Sequence, residues 1–537
     1  MRQFYLLLTS ICLSLLVLSC QDETQSSDTH LGEIELQITG SEEAQQAFER
    51  GLLLLHSFEY ADSREAFQQA RELDPACAMA YWGEAMTHNH NLWSQQDYEK
   101  GTEALANMDK QCDLTKCSAL EQDLIASTKV LYGEGEKVAR DQAYAEEMAK
   151  LYAAYPGNHE VAAFYALSLL GSVPMGRDVS VYEKGATIAQ GIIEENPNHP
   201  GALHYLIHSY DDPQHAFMAL NAANSYSKVA PDAAHALHMP SHIYVALGMW
   251  DEVVSSNIAS YNASVNRMTD KGLTDNARSY HALAWLQYGQ LQKGNLAEAE
   301  KIMQEKTSYL SEEADKRSRV YQIEMTGTYL AALDAWDAEW ADFDVKNDDL
   351  NIVAQALFDF IKGMKAYAIG DEAELTETIR QMGLKRETAS KQLDERGLSM
   401  CAAVTRQAPN QLQLDRARIM EMELQAQLHR LQGNSELTEK WLKDAVALES
   451  SISYAYGPPE VVKPSWEMYG DWLMSANRPQ EAASQYAQAL QRTPKRTWVL
   501  DNLRQAYAQL NMSAKADSLE QVISEIQMVE GAQASVE

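Results

Sequence analysis

At 537 residues the chain is long enough for several ordinary domains or for one continuous repeat array, so repeats have to be sought before domains. A composition of 45% hydrophobic and 23% charged residues, with 14 Pro and 26 Gly, excludes a collagen-like or largely disordered chain. Lys and Arg total 44 against 77 Asp and Glu, a formal charge of -33, which would repel a nucleic-acid backbone and an anionic membrane surface. Nucleic acid is therefore set aside as a partner.

In chain order the first element is an address. Arg2 precedes an apolar run from Phe4 to Leu18, short for a membrane span, which ends in Val17-Leu18-Ser19-Cys20. This resembles a bacterial lipobox, which implies removal of residues 1–19 as a signal peptide and lipidation of Cys20. The expected location is the bacterial cell envelope, at the outer membrane, with the lipid anchor as the sole membrane contact. Gln21, Asp22 and Glu23 begin a polar tether over residues 20–40. Of six cysteines, Cys12 leaves with the signal and Cys20 is lipidated; Cys112 and Cys117 are close enough in sequence to close a small disulfide, a pairing that spacing alone leaves open.

From Ala44 the sequence reads as paired amphipathic helices: AQQAFERGLLLLHSF, a break, then ADSREAFQQARELDP. The next unit starts at AMAYWGEAMTHNHNLW, and Gly51 to Ala85 and Leu54 to His88 are each 34 residues apart. The same spacing relates Leu203 to Leu237, Tyr210 to Tyr244 and Pro197 to Pro231. Further units read at YHALAWLQYGQLQKGNLAEAEKIM, FDFIKGMKAYAIGDEAELTETI, MELQAQLHRLQGNSELTEKWL and WEMYGDWLMSANRPQEAASQYAQALQRTP, with TWVLDNLRQAYAQLNMSAKADSLEQV as a cap. This period is that of the tetratricopeptide repeat, and roughly nine or ten units are expected, degenerate around 101–150 and 305–350. The resemblance implies an all-α fold, a right-handed superhelix (α-solenoid) of helix pairs whose first helices line an inner groove. Two arrays are expected, 41–310 with a histidine-rich groove and 311–537 with capping helices.

Seven of the fourteen histidines lie between His199 and His242. His204 and His208 share a helical face one turn apart, His238 and His242 repeat that spacing, and His235 extends the stripe. His204 to His238 and His208 to His242 are again 34 residues, so matched places in adjacent repeats carry imidazole. Packed helices lie roughly 8–10 Å apart, a gap that two imidazoles with an ion between them can span. His204, His208, His235, His238 and His242 are therefore candidate metal ligands. Asp211, Asp212 and His281 could add to them, and His56 and His90, themselves 34 apart, sit at the ends of first helices upstream. Nitrogen with some oxygen suits Zn, Cu, Fe or Ni. In YAYGPPEVVKPSWEMYGDWL, Gly457-Pro458-Pro459 forces a rigid turn, which either connects two repeats or presents Tyr454, Tyr456, Lys463 and Glu467 to the groove.

The blocks AMAYWGEAM, HPGALHYLIHSYDDP, HALHMPSHIY and YGPPEVVKPSWEMYG resemble a family of bacterial tetratricopeptide lipoproteins that share them. That resemblance implies an architecture and a groove, and no particular reaction. GxSxG, HExxH, phosphate-loop and dinucleotide signatures are absent, so no nucleotide cofactor is expected. Three functions fit: an anchored module whose groove binds a protein, peptide or small molecule; a metal-dependent hydrolytic or oxidative enzyme, with acids such as Glu160 at hand; and metal storage or transfer.

Overall fold

Short polar residues start several of the helices, and glycines end two of them. Ser41, Asn158, Asn351, Asp371 and Asn434 each accept a backbone N–H of the first turn they precede, the bond that a helix start otherwise lacks. Gly248 and Gly370 stop their helices in left-handed backbone at φ of +66° and +76°. The computed structural model describes residues 30–311, 314–398, 408–454 and 456–527. The lipobox with Cys20 and also Cys401 lie outside them.

In chain order the helices pair as α1 (Glu42–His56) with α2 (Tyr60–Leu73), α3 (Ala78–Met86) with α4 (Tyr98–Gln111), α5 (Ala119–Leu131) with α6 (Lys137–Ala154), and α7 (His159–Gly171) with α8 (Val179–Glu195). Next come α9 (Pro200–Ser209) with α10 (Leu220–Val229), then α11 (Ala234–His238) and α12 (Pro240–Leu247) facing α13 (Trp250–Asp270). Pro240, which lacks an N–H, marks the break between α11 and α12. They are followed by α14 (Tyr280–Gln292) with α15 (Leu296–Ser308), and by α16 (Lys316–Leu333), which is followed by irregular chain in place of a second helix. The rest are α17 (Ile352–Ile369) with α18 (Glu372–Ser390), α19 (Gln411–Leu431) with α20 (Ser435–Ser451), α21 (Ser465–Ser475) with α22 (Pro479–Arg492), and α23 (Thr497–Gln509) with α24 (Ser513–Gln527).

First helices of successive pairs touch, α7 to α9 to α12 and α17 to α19 to α21 to α23 among them, so the fold is the all-α solenoid of helix pairs expected from the register. Among the described residues the one ladder pairs Asn89–His90 with Gln95–Gln96. Sequence degeneracy near 305–350 matches the lone α16, whereas 101–150 forms three regular helices despite its weak pattern.

The array is not a simple rod. Helix α1 packs on α3 and also on α9, far along the chain, and Asp62 of α2 binds Arg267 (2.5 Å) and Lys271 (2.7 Å) at the end of α13. From the other side Lys495 C=O accepts the Trp250 indole N–H at 3.0 Å, and buried Arg496 donates to Tyr288 at 3.1 Å. Residues from both arms thus return to the middle, around α9, α11, α12 and α14. All described residues from Leu31 onward fall in one compact unit.

Two local expectations change. The tether cannot extend to residue 40, because Leu31 and Leu36 are buried and Glu33 N–H reaches Asn198 C=O at 2.9 Å. Cys112 and Cys117 are free thiols: a 3-10 turn, Leu114–Lys116, separates them, and the Cys112 thiol faces Pro75 C=O.

Candidate metal centre

Helix α9 starts at His199-Pro200. His199 Nδ1 accepts the Ala202 N–H at 3.1 Å, so this ring caps the helix and carries its proton on Nε2. Its Nε2 lies 3.2 Å from Glu160 Oε1, in ion-pair range but not hydrogen-bonded to it, while His56 Nε2 meets Glu160 Oε2 at 2.7 Å and His56 Nδ1 meets Tyr205 Oη at 2.9 Å. Burial pushes the Glu160 carboxyl up, but the two imidazoles facing it outweigh burial and hold it well below the usual range. His56, Glu160 and His199 lie close enough to hold an ion. The helix cap made by His199 and the bonds of His56 to Glu160 and Tyr205 instead give these rings structural partners, with one carboxylate between two imidazoles.

One turn further along α9 the pattern reverses. His204 donates from Nδ1 to His56 C=O at 2.7 Å, which leaves its Nε2 as a bare lone pair. His204 Nε2, His208 Nε2 and His235 Nε2 are all buried with no hydrogen-bond partner, and one nitrogen of each of these three residues lies within 4.8 Å of the others. Buried polar atoms are rarely left unpaired, and three converging imidazole nitrogens are the arrangement a transition metal uses. The ring of Phe58 covers this triad, with its centroid 4.3 Å from His204, 6.0 Å from His208 and 5.7 Å from His235. Phe58 holds a left-handed backbone at φ +56°, which is costly for an aromatic residue and places its ring over the histidines.

A second triad, His238, His242 and His281, follows the same plan. His238 Nδ1–H donates to Asn257 Oδ1 at 2.7 Å and His242 Nδ1–H donates to Asp211 Oδ2 at 2.5 Å. With both rings neutral, both Nε2 atoms are lone pairs, and they face each other at 3.1 Å. Two lone pairs at that distance repel unless a metal ion or a shared proton lies between them. Two nitrogens each about 2.0–2.1 Å from one ion stand about 3.0–3.5 Å apart, and an Nδ1–H held by a carboxylate or amide oxygen is the usual outer support of a metal-bound histidine. Burial, reinforced by the neighbouring imidazoles, pulls His204 down to about 3 and His208, His235 and His238 well below their ordinary value. These rings are therefore neutral, the form that binds metal.

The five candidate histidines all fall within the two triads, and each triad joins an i, i+4 pair to a single ring from the next first helix; His204 and His208 share α9, whereas His238 ends α11 and His242 lies on α12. His235 serves His204 and His208; His281, expected only as an addition, completes the second set. Asp211 is the fully buried acceptor behind His242. Asp212 is tied to Arg177 at 3.1 Å and to His215 at 2.9 Å, so it faces away from both triads. His56 contributes only its carbonyl. His90 stacks on Tyr60 with centroids 3.9 Å apart and joins neither triad. Glu467 is a correction of a different kind: it forms a buried pair with Arg496 at 2.5 Å and accepts from Trp498, while Lys463 binds Asp471 at 2.6 Å, so neither is presented to the histidines.

Sequence reading missed Arg177, whose guanidinium gathers the carbonyls of His208, Ser209 and Asp211 at the end of α9. It sits outside the histidine period, and only the fold brings it there. The Gly457-Pro458-Pro459 turn proves to be more than a connection. Gly457, at φ +84°, lies so close to Trp285 that a Cβ would come within 2.0 Å of the ring, and Tyr456 Oη meets Tyr182 Oη at 3.1 Å. Trp285 in turn lies 4.4 Å from His242 and 4.8 Å from His238 between ring centroids. Beside this turn a cavity of about 180 Å³ is lined by His281, Trp285, Tyr321, Pro459 and Gln287, whose side-chain amide is buried with both polar atoms unpartnered.

Two expected results follow from these supports. Asp211→Asn removes the charge behind His242 and should weaken ion binding about 10–100-fold, read by competition with a chromophoric chelator; an unchanged affinity would take Asp211 out of this role. The other concerns Glu449, which anchors the far end of the turn by accepting Ser465 N–H at 2.7 Å, and which burial pushes up to about 7 from 4.5. Its protonated form favours the fold fully below the unfolded value, and that contribution is lost as pH rises through the folded value. Glu449→Gln should therefore be more stable than wild type by about 3 kcal/mol near pH 8 and little different near pH 4.5 in urea denaturation.

No family model matches the chain, and no curated protein matches it. Among solved structures, a human IFIT1 dimer with m7Gppp-AAAA is 11% identical over 88% of this chain and 91% of its own, with a TM-score of 0.34. Yeast Tom70 is 11% identical over 90% of this chain and 93% of its own, with a TM-score of 0.31. Naa15/Naa10 bound to HypK-THB is 13% identical over 89% of this chain and 63% of its own, with a TM-score of 0.23.

Proposed function

We propose that this chain is a tetratricopeptide-type lipoprotein of the bacterial envelope, anchored through Cys20, whose helical array holds a transition-metal centre and offers it to a protein, peptide or small-molecule ligand. The observation that carries the metal is the 3.1 Å approach of His238 Nε2 to His242 Nε2 while both Nδ1–H groups are committed to acceptors. The converging His204, His208 and His235 rings, each with a buried unpartnered Nε2, support it independently. The lipid anchor rests on the sequence around Cys20.

A metal-dependent enzyme is the second reading, and the cavity beside His281 favours it. An unpaired amide on Gln287 next to a candidate ligand suits an organic substrate bearing its own donor and acceptor, which a storage site would not need. The test is ion content of the full chain after separate supplementation with Zn, Cu, Fe and Ni and removal of free metal. At least one tightly held ion per chain is expected for one of the four. A wild-type chain that retains none of them would leave a binding module without metal.

A further inference from the structure

Resting on that metal reading, we infer that the six imidazoles hold two ions side by side, that both are copper bound as copper(I), and that the pair takes up one dioxygen between them. The two triads are built alike and abut. Ring centroids within them lie 4.8 Å (His204 to His208), 5.1 Å (His204 to His235), 5.0 Å (His238 to His242) and 4.4 Å (His238 to His281) apart. Across the boundary His208 stands 5.7 Å from His242 and His235 stands 6.1 Å from His238, no farther than the 6.3 Å from His242 to His281 within the second triad. One ion with bonds of about 2.0–2.1 Å cannot reach all six rings, whereas each triad fits one ion and leaves its open side toward the other.

Charge selects the metal. Neither triad contains a carboxylate, and the acids around them are engaged elsewhere: Glu160 with His56 and His199, Asp212 with Arg177 and His215, and Glu59 with the His235 backbone N–H. Asp211 accepts from the His242 ring. Two divalent ions would bring four positive charges into a buried, aromatic-lined space against that one carboxylate, and two monovalent ions bring half as many. Of the four metals that imidazole suits, copper is the one with an accessible monovalent state. Two adjacent copper(I) ions each give one electron to dioxygen: both become copper(II), the oxygen is reduced to the peroxide level, and no proton is required.

The test loads the full chain with copper(I) under anaerobic conditions, removes free metal, and then admits dioxygen. The expected result is two copper ions per chain, one dioxygen consumed per chain, and no electron paramagnetic signal of isolated copper(II), because the two spins are coupled. His208→Ala and, separately, His281→Ala should each hold one copper and give an ordinary copper(II) signal in air; the two variants guard against misfolding of either. One copper in the wild-type chain, or two that both give isolated signals, would overturn the pairing, and two zinc ions with copper(I) rejected would overturn the choice of metal. Retention of no ion of any of the four metals would instead defeat the reading on which the pairing rests.

Discussion

The His238→Ala, His242→Ala double variant is expected to lose the ion of the second triad entirely, by more than the roughly 10–100-fold that an outer support such as Asp211 is worth. Its origin is direct: the variant keeps one of three imidazoles, and the lone pairs that stand 3.1 Å apart in the wild-type chain are gone. Linkage makes the effect visible as stability. A ligand that binds only the folded state at 1,000 times its dissociation constant adds about 4 kcal/mol, so excess metal should raise the wild-type melting temperature by several degrees more than that of the variant. Equal metal-induced shifts in the two proteins would mean that the second triad is not an ion site.

Glu160→Leu should have the largest effect on the fold itself, a loss of about 3–5 kcal/mol in the metal-free chain. Glu160 is fully buried on α7, hydrogen-bonded to His56 of α1 and in ion-pair range of His199 at the start of α9, so its removal leaves a buried His56 nitrogen without its acceptor and takes the shared carboxylate from two other helices. The same substitution should leave the number of bound ions unchanged, because neither triad uses Glu160. Urea denaturation together with metal analysis separates the two groups of histidines: a variant as stable as wild type, or one short of an ion, would move this network into the metal centre.

The repeat architecture was legible because a 34-residue period places small residues and turns at matched positions over most of the chain. The histidine pairs were legible for the same reason, since i, i+4 spacing fixes one helix face. The third ring of each triad was harder to read. His235 and His281 come from the following first helix, and which ring of a neighbouring helix closes a site depends on helix rotation that spacing does not specify. The return of α1 to α9 had no local signal at all, so the proximity of Phe58 and His56 to His204 could be found only in the fold. Arg177 and the Gly457 turn entered the same way, through contacts between residues hundreds of positions apart in the case of Tyr182 and Tyr456. The Gly457-Pro458-Pro459 turn left open whether Lys463 and Glu467, at the start of an aromatic helix, face the groove or only help to join two repeats. Burial claimed them instead for pairs with Asp471 and Arg496.

The central claim is that these buried imidazoles ligate metal. It is tested most directly by a crystal structure of the metal-loaded chain, with diffraction recorded on both sides of the metal's absorption edge. The expected result is an anomalous peak about 2.0–2.1 Å from both His238 Nε2 and His242 Nε2. Density with no such peak, and with a proton or a water bridging the two nitrogens, would contradict it.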